Sequence, residues 1–221
     1  MSSDVKHNNK KADDEEDESL KVILVGEAGT GKTSLINSVQ GKAFTPGAQL
    51  SSMTCSFVKI TRTIQDIPIK LNLWDTIGQE KFRSLTKIFL NGSKIVIFVF
   101  DITQPDTFTA LDYWFDTIND ELGPSPIRGL AANKQDLFDN QKVEDQVIQD
   151  YAEKKGIPFT FTSAMNPLSF RTLLDDLIEK YMITCGEFKK VGKKLKRIKK
   201  KKINAADFII YFLLFISLYI I

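Results

Sequence analysis

Residues Gly26-Glu27-Ala28-Gly29-Thr30-Gly31-Lys32-Thr33 fit the spacing G-x-x-x-x-G-K-[ST]. Glycines at these positions let backbone N–H groups turn toward a polyphosphate. A helix N-terminus behind them adds positive potential. Lys32 would reach the terminal phosphates, and the Thr33 hydroxyl would ligate Mg²⁺. Ser34, next in line, belongs to the same phosphate-binding stretch. The apolar run Lys21-Val22-Ile23-Leu24-Val25 precedes the motif and Ser34-Leu35-Ile36-Asn37-Ser38 follows it. That is the strand–loop–helix context the chemistry requires, and an ordinary glycine-rich turn needs neither fingerprint nor flanks.

Three further segments narrow the ligand to a guanine nucleotide. Trp74-Asp75-Thr76-Ile77-Gly78-Gln79-Glu80 follows the alternating run Ile69-Lys70-Leu71-Asn72-Leu73. Asp75 at a strand end can hold the Mg²⁺ shell directly or through water, and Gly78 lets its N–H approach a γ-phosphate. Asn133-Lys134-Gln135-Asp136 supplies a carboxylate able to accept two hydrogen bonds from the guanine N1–H and N2–H₂ edge. Adenine lacks that donor pair and would leave the carboxylate unpaired. Thr162-Ser163-Ala164 follows the apolar Pro158-Phe159-Thr160-Phe161, where a backbone N–H can reach guanine O6. Each short motif is weak alone; their order and spacing together are specific.

With these segments the chain resembles the Ras superfamily of small GTPases over about residues 20–183. Within it the chain looks most like the Rab branch. The stretch from Lys70 through Trp74-Asp75-Thr76 to Leu85 is close to the Rab pattern KLQIWDTAGQERFRSL. The resemblance implies a P-loop NTPase small G-domain that binds GTP or GDP with Mg²⁺ and directs vesicle or membrane traffic. It implies that Gln79 orients the attacking water and that Phe44, twelve residues after Lys32, lies against the guanine ring. It implies effectors at the switch regions, an exchange factor and a GTPase-activating protein. No arginine is present in the phosphate loop or between Ala43 and Phe57, so fast hydrolysis would need an arginine supplied in trans.

Several positions depart from the family pattern. The switch I threonine that contacts Mg²⁺ becomes Ser52 when aligned on Phe57, or Ser51 when counted from Lys32. The usual switch II alanine is Ile77, the lysine of the second guanine loop is Met165, and the Rab Y-Y-R-G run is Phe89-Leu90-Asn91-Gly92. None removes a group essential for binding GTP. They motivate a competing reading, a GTP-bound membrane scaffold with negligible hydrolysis.

Composition bounds the rest. In 221 residues one small GTPase domain at 20–183 is the economical reading, with an acidic arm at 1–19, a basic linker at 184–207 and an apolar tail at 208–221. Strand-like runs at 21–25, 57–64, 69–74, 94–100, 127–132 and 158–161 alternate with helical stretches at 32–38, 107–122, 143–155 and 169–184. The expectation is an α/β, mostly parallel, doubly wound sheet flanked by helices. The single histidine, His7, argues against histidine-dependent catalysis and histidine metal sites. Cys55 and Cys185 suggest no disulfide framework or metal spacing. Trp74 and Trp114 read as core or interface residues.

The arm carries Asp13-Asp14-Glu15-Glu16-Asp17-Glu18 and reads as a disordered, solvated segment without assigned function. Residues 189–202 hold ten Lys or Arg, so the net charge of +2 hides a remainder of −8. Residues 208–221 carry no charge, and no cysteine closes the sequence for prenylation. As a helix that tail is about 21 Å long against a hydrocarbon core of about 30 Å, so it spans a thin membrane or inserts part-way. The lysine run suits the positive-inside rule and anionic lipids, and the adjoining tail favours a membrane over nucleic acid. The expectation is a monomer on the cytoplasmic face of an intracellular membrane.

Overall fold

The computed structural model describes residues 19–45, 56–76 and 89–186. Six strands form one sheet in the order β2-β3-β1-β4-β5-β6. The strands are β1 (Leu20–Val25), β2 (Ser56–Ile64), β3 (Ile67–Asp75), β4 (Ile95–Asp101), β5 (Ile127–Asn133) and β6 (Phe159–Thr162). All pairings are parallel except the edge hairpin β2–β3. This is the expected α/β architecture, a mostly parallel sheet flanked by helices.

Burial explains the layers. All seven residues of β4 are buried, as a central parallel strand covered on both faces requires. On one face α1 (Lys32–Val39) and the long α5 (Pro167–Thr184) pack over Val22, Leu24, Leu71, Leu73, Ile97 and Val99. On α5 the residues Phe170, Leu173, Leu174, Leu177 and Ile178 form the inward stripe at helical spacing. On the other face α3 (Leu111–Leu122) presents Leu111, Trp114, Phe115 and Ile118, and α4 (Asp145–Lys155) presents Ile148 and Ala152. The helices after β1 and β4 thus lie on opposite faces. Their strand ends open into the crevice where doubly wound sheets bind ligands.

Three local features differ from the sequence reading. The helix expected at 107–122 starts earlier, because Pro105 suits a first helical position, and it divides into α2 (Pro105–Thr109) and α3. Thr107 Oγ1 accepts a hydrogen bond from Asp101 N at 3.0 Å and ties α2 to the end of β4, while α3 follows its own apolar stripe. A 3₁₀ turn at Gln135–Asn140, invisible to periodicity, follows β5. The β2–β3 turn uses Gln65 and Asp66, both at positive φ, without a glycine. Pro68 is tolerated because it lies beyond the first β1–β3 pair, Leu20 with Leu71, where β3 has one neighbour. Among the described residues no helix is long and apolar enough to cross a membrane.

Candidate functional site

The loop between β1 and α1 is held open by backbone constraints. Gly26 has φ 145°, and a Cβ there would collide with the carbonyl oxygen of Val99 on β4. Gly31 has φ 92°, and its missing Cβ leaves the space taken by Asn133 Nδ2. Both positions therefore need glycine for close approach as well as for φ. Asn133 Nδ2 donates to Thr30 O at 2.7 Å, while Thr162 Oγ1 donates to Asn133 Oδ1 at 3.1 Å. One buried side chain thereby clamps the phosphate loop to the ends of β5 and β6.

Lys32 is buried inside this loop, and its Nζ donates to Gly26 O at 2.9 Å and Glu27 O at 2.8 Å. Burial pushes its pKa down from 10.5 to about 8, against the opposing pull of Asp75 and Glu27. Thr33 Oγ1 donates to Asp75 Oδ2 at 2.7 Å, which joins two of the three sequence-designated Mg²⁺ residues between α1 and the end of β3. The Ser34 hydroxyl oxygen is buried with no hydrogen-bond partner, so the start of α1 retains an unsatisfied polar atom. Ala28 and Gly29 are exposed at the loop tip.

These features fit a magnesium–polyphosphate. The glycine cradle admits backbone donors, the buried ammonium matches phosphate charge, and a hydroxyl beside a carboxylate is a hard oxygen pair suited to Mg²⁺. Among the described residues no group of three or more His, Cys, Asp or Glu side chains gathers as a metal cage. Mg²⁺ commonly takes one or two protein ligands and completes its shell with water and substrate phosphates.

The second half of the site lies beyond β5 and β6. Lys134 sits in the left-handed region at φ 68°, and its Nζ pairs with Asp101 Oδ2 at 2.6 Å. Asp101 Oδ1 accepts from Thr103 N and Thr103 Oγ1, which fixes that carboxylate. The Ser163 hydroxyl donates to Asp136 Oδ1 and accepts from Met165 N at 3.0 Å. Ser163 N is in turn held by Ser169 Oγ on α5 at 3.0 Å. Phe44, Ala164 and Met165 line one open cavity of about 600 Å³. Phe44 is half-buried, and the Met165 side chain is exposed.

The structure thus brings together Gly26, Glu27, Thr30, Gly31, Lys32, Thr33, Asp75 and Asn133, and separately Asp136, Ser163, Ala164, Met165 and Phe44. Ser52, its alternative Ser51, Ile77, Gly78 and Gln79 lie outside the described residues. So do residues 1–18 and 187–221, with the acidic arm, the lysine run and the apolar tail.

Sequence reasoning missed two supports. Trp114 Nε1 on α3 donates to Glu27 Oε1 at 3.1 Å, which anchors the phosphate loop from the opposite sheet face. Thr76 Oγ1 donates to Leu24 O at 2.6 Å and ties the end of β3 to β1. An aromatic cluster lies at the end of β3, where Trp74 and Phe89 pack half-buried against the core and Phe57 is exposed. Phe57 stacks on Trp74 with centroids 4.8 Å apart, and Trp74 meets Phe89 at 5.9 Å. Lys21 Nζ stands 4.3 Å over the Trp74 ring.

Comparison with known proteins agrees with this geometry. A model of the Ras family matches residues 21–183. The chain belongs to the Ras family. This Ras-family chain is 37% identical to the Ras-related protein Rab-7b of Mus musculus over 153 residues, 68% of this chain and 76% of that one. It is 32% identical to the human Ras-related protein Rab-22A over 177 residues, 80% and 91% of the two chains. It is 31% identical to the Ras-related protein RABA2a of Arabidopsis thaliana over 172 residues, 76% and 79%. It is a divergent Rab-like small GTPase, a GTP-hydrolysing enzyme. Ras-family GTPases cycle between GTP and GDP with Mg²⁺ and work with effectors, exchange factors and activating proteins.

Proposed function

We propose that the protein is a membrane-attached guanine-nucleotide switch that regulates vesicle or membrane traffic. The single observation that carries the nucleotide reading is the Asn133 clamp, which joins the phosphate loop to the two loops that would read the base. In this reading Gly26–Thr33 and Ser34 cradle the phosphates, with Glu27 braced by Trp114. Lys32 leaves the Gly26 and Glu27 carbonyls for the β- and γ-phosphates. Thr33 and Asp75 hold Mg²⁺, together with Ser52, and bound Mg²⁺ would neutralise charge between the β- and γ-oxygens. Asp136, fixed by the Ser163 hydroxyl, accepts the guanine N1 and N2 protons. The Met165 N–H is taken by Ser163 Oγ, which leaves the Ala164 N–H as the donor to O6. Phe44 covers the base, and Gly78 and Gln79 serve the γ-phosphate and the attacking water.

The Phe57–Trp74–Phe89 cluster, with Phe57 exposed and the other two rings half-buried, supports a protein-docking role for this face, since desolvated aromatics anchor interfaces. Phe57 closes the switch I stretch that begins at Ala43, and Trp74 precedes Asp75 and the switch II glycine Gly78. Membrane attachment through residues 189–202 and 208–221 rests on their charge and apolarity. The protein acts there as a monomer on the cytoplasmic face.

Asp136→Asn tests the base assignment. Replacing an acceptor by a donor mismatches guanine and matches xanthine. Affinity should move from GTP to xanthosine triphosphate by at least about a hundredfold, a few kcal/mol of hydrogen-bond discrimination. Equal GTP affinity in parent and variant would refute it. The exposed Met165 and the bulky Ile77 favour the second reading, a GTP-bound scaffold. Magnesium-dependent phosphate release, with and without an added activating protein, separates the two.

A further inference from the structure

Met165 carries a thioether in the loop between β6 and α5, and it is 60% exposed. Its backbone is fixed: Met165 N donates to Ser163 Oγ at 3.0 Å, and that hydroxyl donates to Asp136 Oδ1. The thioether is therefore tethered to the carboxylate assigned to the base edge. It lines the cavity of about 600 Å³ whose other apolar walls include Ala43, Phe44, Ala164 and Leu168. Thioethers pack favourably against aromatic rings, and an accessible one is open to oxidation. Met182, the other methionine among the described residues, is buried in α5 at 4% exposure. Two sulfurs of one folded domain thus differ sharply in access.

We propose that Met165 is a reversible oxidation site that sets how tightly the protein holds a guanine nucleotide. This rests on the base reading given above. With the cavity filled, the thioether lies against the ring and the ring covers the sulfur. With the cavity empty, hydrogen peroxide reaches it. The sulfur lone pair attacks one peroxide oxygen, the O–O bond breaks and an S–O bond forms. The proton on the transferred oxygen passes to the departing hydroxide, so sulfur loses two electrons and the peroxide ends as two-electron-reduced water. The sulfoxide is polar and chiral, packs poorly on a ring among apolar walls, and is restored by reductases specific for each epimer. Oxidation of the empty protein leaves it with weakened nucleotide retention.

Peroxide treatment of the full chain in uncharged detergent, with magnesium and GDP or freed of nucleotide by chelation, tests this by peptide mass mapping. In the empty form Met165 should oxidise at least about tenfold faster than Met182, and GDP should slow Met165 severalfold. The oxidised protein should release a fluorescent GDP analogue about three- to tenfold faster, within the range that a lost sulfur–ring contact spans. Sulfoxide reductases should restore the parent rate. Met165→Leu keeps the bulk without the sulfur, and its release rate should be the same before and after peroxide. Met165 oxidising no faster than Met182, equal oxidation with and without GDP, or acceleration by peroxide that persists in Met165→Leu would each overturn the proposal. Affinity of the untreated parent for GDP is measured first. Its absence would refute the nucleotide reading and this proposal with it, whereas tight binding indifferent to peroxide refutes this proposal alone.

Discussion

Lys32 makes nucleotide binding pH-dependent over a range where few other groups titrate. Its ammonium is buried and satisfied by the Gly26 and Glu27 carbonyls, and burial brings its pKa to about 8. At pH 7 it is about nine-tenths charged, and at pH 9 about nine-tenths neutral. Polyphosphate requires the charged form and raises the pKa of Lys32 once bound. Binding therefore takes up a proton above pH 8. Apparent affinity for GDP should fall about tenfold from pH 7 to pH 9, close to 1.4 kcal/mol. The nucleotide-free protein should behave oppositely. Its folded-state pKa lies below that of the unfolded chain, so the unfolded state binds more protons between about pH 8 and pH 10.5. Stability then rises with pH across that window, by about 3 kcal/mol if fully expressed. Association and dissociation rates of a fluorescent GDP analogue at fixed Mg²⁺ give the affinity profile. Lys32→Arg, whose guanidinium stays charged, should flatten it. A parent profile as flat as that of the arginine variant would refute the burial argument.

Trp114→Phe keeps the ring in the core but deletes the donor to Glu27, and denaturant unfolding should show a loss of about 1–2 kcal/mol with faster GDP release; unchanged release would confine Trp114 to packing. Gln79→Leu should depress phosphate release stimulated by an activating protein at least about a hundredfold, whereas Thr33→Asn should weaken the Mg²⁺ site and favour the GDP-bound or empty form; turnover equal to the parent would remove Gln79 from the reaction. Truncation after Lys202 should leave GTP binding intact and convert carbonate-resistant membrane association into a salt-sensitive one, at about 1 kcal/mol per basic residue near an anionic surface; loss of nucleotide by that variant would place the tail in the core.

What the sequence disclosed followed from local rules. The phosphate loop and the N-K-x-D tetrapeptide were legible because backbone approach and base-edge recognition demand fixed residue types at short spacing. β1 and β4 were legible as continuous buried runs and β3 by its alternation. The supports were not legible, because they join residues far apart. Trp114 and Glu27 are separated by 87 positions, and Asn133 and Thr30 by 103. A tryptophan at helical spacing in α3 reads as core, and its ring is core; only the position of its Nε1–H reveals the second role. The β2–β3 turn was not legible for a different reason. Gln65 and Asp66 adopt positive φ without the Asn-Gly or Asp-Gly signal, and the nine-residue ladder from Ser56–Asp75 to Ile64–Ile67 enforces the turn.

The same strand end explains how nucleotide chemistry can reach a protein-docking surface. Successive residues of a strand point to opposite faces. Asp75 turns toward Thr33 and the phosphate loop, while Trp74 turns to the face shared with Phe57 and Phe89. Thr76, one residue further, is tied by its hydroxyl to Leu24 just before the loop. A metal shell that took in Asp75 and Thr33 would replace their mutual hydrogen bond and displace the end of β3. Close-packed strands transmit such a displacement rather than absorb it. The indole of the preceding residue would then shift relative to the Phe57 ring stacked 4.8 Å away. The aromatic face would need no separate sensor, because its central ring belongs to the residue before the carboxylate hydrogen-bonded to Thr33.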